Sequence, residues 1–148
     1  MSLFRTDVAY DLAAQGRVVR WVSALRYGRH PQARSFLRTD GGFCCLGVGC
    51  HVYDPRRWRL FGDQWSYMGA VGELPHAVVE AFQLRTPDGR YGPCPEIDSL
   101  VSANDRGATF RDLADLIFDE MHATIGRRAR VDEVLRSRRA FALPNVGR

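Results

Sequence analysis

The segment Phe43–Cys50, Phe-Cys-Cys-Leu-Gly-Val-Gly-Cys, constrains this chain more than any other stretch. Eight residues without a polar break have to be buried. They fall far short of the roughly 20 that a helix needs to cross a bilayer. The segment therefore reads as the centre of a folded core, and no transmembrane segment is read anywhere else. Leu46, Cys50 and Tyr53 recur three to four apart, so Cys44 to Tyr53 is expected to be a short buried helix. Gly47 and Gly49 weaken that helix but let a neighbour approach closely. Just before it, Asp40-Gly41-Gly42 between apolar residues is a hairpin signal.

Other elements assemble around that centre. Val8, Leu12, Val18, Val19, Val22 and Leu25 mark a helical face over residues 7–27, with Gly16 suggesting a bend between two helices. Trp58 and Leu60, then Gly62-Asp63, then Trp65 and Tyr67 predict a second hairpin. Pro75 opens a helix with Val78, Val79 and Phe82 on one side. Thr86–Gly89 is a turn and Gly92–Pro95 a rigid loop. One or two helical turns over Ile97–Ala103 close at Asn104-Asp105-Arg106-Gly107. Thr109 with Asp112 forms a capping box that starts a last helix through Phe110, Leu113, Ala114, Ile117 and Met121, and Gly126 is expected to end it. The fold class is a small α+β domain, mostly helical, with one or two β-hairpins. The 148 residues make one globular body, residues 1–126, followed by an arginine-rich tail, residues 127–148, in which Val131–Leu135 could form a short further helix. Apolar residues at 45% and charged residues at 26% exclude a disordered chain, a collagen-like repeat and a coiled-coil rod.

Charge is unevenly placed. All 21 basic residues are arginine, and lysine is absent. Arginine-rich, lysine-free composition points to a high-GC genome, such as an actinobacterium or its phage. The tail carries Arg127, Arg128, Arg130, Arg136, Arg138, Arg139 and Arg148 against Asp132 and Glu133, a net +5. The body holds 14 arginines against 15 acids, a net −1. Long-range attraction to an anionic partner should therefore run through the tail. No basic region followed by an apolar run opens the chain, so no secretory signal is read. The four cysteines are then expected as reduced thiols in a cytoplasm.

The order Phe43-Cys44-Cys45-Leu46-Gly47-Val48, then Asn104-Asp105-Arg106-Gly107, then a C-terminal helix resembles a group of small bacteriophage and actinobacterial proteins. Trp21–Gly28 fits the opening of that group. The resemblance covers roughly residues 17–125 and implies no particular activity.

Several residues carry candidate chemistry. Cys44 and Cys45 sit at a predicted helix start, which lowers a thiol pKa and suits a nucleophile. His51 lies roughly 10 Å further along the same helix. His76 or His122 would have to supply the base through the fold, with Asn104 or Asp105 orienting it. Against this, Cys-Cys-Leu-Gly-Val is good core sequence, and the expectation is that both thiols are buried and inert. No metal site is read: Cys44, Cys45, Cys50, His51 and Cys94 lack the paired spacing of zinc sites. Asp112, Asp115 and Asp119, with Glu120, read as a solvated helix face. No cofactor is expected. Trp58, Phe61, Trp65 and Tyr67 interleave with Arg56, Arg57 and Arg59, a composition that fits a buried face, a protein interface or base stacking.

The function expected is non-catalytic binding of a protein partner, or self-association, by an accessory protein. Trp58, Trp65, Tyr67, the tail arginines from Arg127 to Arg139 and Phe141 are its contact residues. The alternatives are a hydrolase or transferase built on Cys44 or Cys45, and a nucleic-acid binder acting through the tail.

Overall fold

The computed structural model describes residues 2–9, 11–94 and 96–142, with side chains up to Arg127. Five α-helices and two separate two-stranded antiparallel hairpins occur among these residues: α1 Leu12–Tyr27, β1 Arg38–Thr39, β2 Gly42–Phe43, α2 Cys45–Tyr53, β3 Trp58–Phe61, β4 Gln64–Tyr67, α3 His76–Phe82, α4 Leu100–Asp105 and α5 Phe110–Ala142. The small, mostly helical α+β architecture is the one the sequence pattern implies.

Helix α2 lies at the centre. Cys45, Leu46, Val48 and Cys50 are fully buried. Its two glycines are there for close approach. A Cβ on Gly47 would collide with the Leu37 carbonyl oxygen. At Gly49 a Cβ would crowd the Trp21 and Phe82 rings. Those rings stack at 5.0 Å between centroids, and the Trp21 indole Nε1 donates to the Cys45 carbonyl at 2.9 Å. Helices α1, α3 and α4 pack against α2, while α5 packs on α1 and α4, and its Leu113, Ala114, Ile117 and Met121 complete the core.

Helix α1 corrects the expected start and face. Asp11 caps it, accepting from Ala13 N at 2.9 Å and Ala14 N at 3.4 Å, so helix begins at Leu12 rather than residue 7. Ala14, Val18, Trp21, Val22 and Leu25 then form the buried stripe, which turns Leu12 and Val19 to solvent. Gly16 sits inside one continuous helix with open space around it.

Helix α5 corrects the expected end. The capping box is present, with Asp112 N donating to Thr109 Oγ1 and Thr109 N donating to Asp112 Oδ2, both at 3.1 Å. Gly126, however, does not stop the helix, which runs on to Ala142. A glycine within a helix costs only about 1 kcal/mol relative to alanine. Residues 127–142 hold six arginines and three alanines, which favour helix, and proline first recurs at position 144.

Candidate functional site

Two constellations gather the chemistry-bearing residues. The first surrounds the cysteine pair. Cys44 is the N-cap of α2, and its sulfur accepts from Gly47 N at 3.4 Å. Burial pushes the Cys44 thiol up to about 11 and Cys45 well above its ordinary value, against the weaker pull of backbone hydrogen bonds at the helix start. Desolvation outweighs the helix-terminus effect because both residues are buried. Cys45 Sγ donates to the Leu100 carbonyl at 3.7 Å. Among the described residues no histidine hydrogen-bonds either sulfur. His51 lies against Phe43 and His30 instead, at ring separations of 5.2 and 5.4 Å.

Asn104 and Asp105 likewise orient no histidine. Asn104 is fully buried and ties three segments together. Its Oδ1 accepts from Cys45 N at 3.1 Å and from Gln32 Nε2 at 2.9 Å. Its Nδ2 donates to the Ala33 carbonyl at 2.9 Å. Asp105 Oδ1 accepts from Ser35 N at 2.9 Å, holding Ser35 at a φ of 72°. The Asn-Asp pair therefore supplies the partner for an orphan N–H at the start of α2 and fixes the loop before β1.

The acidic residues of α5 between Asp112 and Glu120 are each engaged or exposed. Asp112 belongs to the cap, Asp115 pairs with Arg26 at 2.7 Å, and Glu120 accepts from Leu3 N at 3.0 Å. No group of three metal-ligating side chains occurs among the described residues. No helix among them is long and apolar enough to cross a membrane.

The second constellation is the hairpin face. Trp58 and Tyr67 face each other across the base of β3–β4 and are buried, Tyr67 completely. They anchor the hairpin to the core and are not accessible contact residues. Tyr67 OH donates to the Asp54 carbonyl at 2.9 Å. Trp65 is half-buried, and its indole Nε1 donates to Asp40 Oδ1 at 3.3 Å. The Arg38 guanidinium lies 3.6 Å from the Trp65 ring centroid and 5.1 and 5.4 Å from Phe43 and Trp58. It makes no hydrogen bond or ion pair among the described residues, and burial lowers its pKa. Arg38 also lines a surface cavity of about 420 Å³ together with Phe36, Asp40 and Asp63. At the tip, Phe61 is 88% exposed and Leu60 52%. Gly62 at φ 64° makes the tight two-residue turn that holds them there.

The hairpin arginines are already occupied. Arg56 and Arg57 each meet Asp54 at 3.1 Å, holding its carboxyl down at about 2. Arg59 Nη1 donates to the carbonyls of Arg56 and Trp58. Sequence reasoning missed Arg38. Its signal was present, since an Asp40-Gly41 turn sets Arg38 opposite Phe43, but its stacking on Trp65 depends on β1 meeting β4. Arg127 is exposed near the end of the described side chains. Arg128, Arg130, Arg136, Arg138, Arg139 and Phe141 lie on the backbone of α5, with side chains outside the described residues.

Residues 16–121 match the family described as Domain of unknown function (DUF8296). The chain belongs to this family. The matched span contains both hairpins, α2 and the Asn104 hub. Compared with the curated proteins and with the solved structures, the chain matches none.

Proposed function

We propose that this DUF8296 protein is a non-catalytic, cytoplasmic accessory protein of an actinobacterium or its phage, and that it binds a protein partner through the β3–β4 hairpin. The origin rests on 21 arginines with no lysine. The carrying observation for binding is the apolar tip: Phe61 and Leu60 are held out in solvent by a tight turn whose base is locked into the core. Rigid presentation lowers the ordering cost of association. Arg38, stacked on Trp65 with unused donors beside half-exposed Phe36, adds a charged contact of the kind that dominates interface energetics.

A protein suits this face better than a nucleic-acid backbone. Asp40 and Asp63 border the cavity at Arg38 and repel phosphates, while Arg56, Arg57 and Arg59 have partners within the chain. The arginines of residues 127–139 serve as a steering element that speeds encounter with an acidic partner surface.

The test uses full-length protein, the variant Phe61→Asp and a chain truncated after Gly126. Affinity capture from nuclease-treated host lysate identifies candidates, and titration of each purified pair measures them. The expected partner loses affinity at least tenfold with Phe61→Asp, and truncation mainly slows its association at low salt. Equal affinity for Phe61→Asp would sink the hairpin reading. Submicromolar duplex binding that falls steeply with salt and vanishes on truncation would replace it with the nucleic-acid reading.

A further inference from the structure

Buried polar atoms without a partner are few in folded proteins, and each calls for an explanation. In this structure they concentrate in one place. Of the seven such side-chain atoms among the described residues, five lie between Gln83 and Arg90: Gln83 Oε1, Arg85 Nε and Nη2, Asp88 Oδ1 and Arg90 Nε. This segment follows α3 and turns at Thr86–Gly89, where Gly89 N donates to the Thr86 carbonyl at 3.2 Å. Arg85 is the notable member. Its backbone N–H donates to the Leu3 carbonyl, but two of its guanidinium nitrogens are shut off from water with no acceptor.

Arg85 also lines a surface cavity of about 440 Å³. Val79, Leu84 and Pro87 supply its apolar wall. The acids on its rim face another cation, Arg5. Asp7 holds Arg5 through two bonds of 3.1 and 3.0 Å, and Glu80 lies 3.8 Å from Arg5. Arg85 has no ion pair, so it is the cation in this wall left without a counter-charge among the described residues.

We propose that this cavity binds a small organic monocarboxylate, with its carboxylate on the Arg85 guanidinium and its apolar body against Val79, Leu84 and Pro87. A guanidinium presents paired N–H donors that match a carboxylate edge. A turn of the Arg85 side chain into the cavity would give its stranded donors an acceptor. A single negative charge suits a wall that already contains Asp7 and Glu80, whereas a doubly charged phosphate meets their repulsion. The volume exceeds what a bare carboxylate fills, which favours a ligand with a hydrophobic body. This site is separate from the hairpin face and does not rest on the partner-binding proposal.

The test titrates the full-length protein with benzoate, acetate and inorganic phosphate, followed by backbone amide NMR. Benzoate should shift the amides of Leu84, Arg85 and Asp88 saturably, and should bind at least tenfold tighter than acetate or phosphate. Arg85→Gln should weaken benzoate at least tenfold, and Arg85→Lys should restore part of the loss. Urea unfolding of both variants checks that they are folded. The wild-type shift map decides the matter if Arg85→Gln does not fold. Benzoate shifts that are absent, fail to saturate, or fall on α5 rather than residues 84–88 would overturn the proposal. So would phosphate binding as tightly as benzoate, or unchanged affinity in folded Arg85→Gln.

Discussion

Truncating Asn104 to alanine should bring this domain close to unfolding. The side chain is fully buried and makes bonds in three directions. Alanine strands two groups, Cys45 N–H at the start of α2 and the Ala33 carbonyl. Each orphaned buried group costs about 1–3 kcal/mol. The gap left by the amide adds a cavity term, so the total comes to about 3–5 kcal/mol. Domains of this kind are stable by only about 5–15 kcal/mol. With a urea dependence of about 2 kcal/mol per molar, the unfolding midpoint should fall by about 1.5–2.5 M. Far-UV circular dichroism follows the transition through the helices. Gln32→Ala is the control. Gln32 also bonds Asn104, but it is solvent-exposed, so its loss should cost less than about 1 kcal/mol. A midpoint shift below about 0.5 M for Asn104→Ala, or equal shifts for the two variants, would refute the hub argument.

Other expectations are narrower. Gly16→Ala should stabilise α1 by about 0.5–1 kcal/mol, because the site is helical, exposed and open to a Cβ; a lower thermal midpoint would contradict this. Thr109→Ala should cost about 0.5–2 kcal/mol by removing the cap of α5, measured as a lowered urea midpoint. With a thiol reagent on native protein, half-buried Cys94 should react first, and Cys44, Cys45 and Cys50 only on unfolding; mass mapping of the labelled peptides checks the order. Asp54 is held at about 2 by its bonds to Arg56 and Arg57. Its folded pKa lies below the unfolded value of about 3.9, so its contribution to stability is present above about pH 4 and is lost as pH falls toward 2. Carbon-detected NMR titration should show that midpoint, and Arg56→Ala should raise it.

Sequence alone determined the local elements here, because their signals are chemical and short-range. Asp40-Gly41 and Gly62-Asp63 specify two-residue turns, and the turn fixes the register of each hairpin. Thr109 and Asp112 specify a helix start by reciprocal bonding. The apolar run of α2 could go nowhere but the core, and its thiols are buried accordingly. Where local signals compete, the sequence was less decisive. Asp11 as a cap outweighed the apolar periodicity that extended α1 back to residue 7, and one glycine did not outweigh the helix formers beyond position 126. The relations that matter for function were decided by tertiary structure. Whether Trp58 or Phe61 faces solvent depends on which side of the hairpin meets α2. Arg38 reaches Trp65 only because β1 lies beside β4, and Asn104 reaches Cys45 across 59 positions of chain. Arg85 lost its acceptors for the same reason. Packing burial against distant residues strips water from a side chain, and a linear pattern does not encode which side chains are stripped.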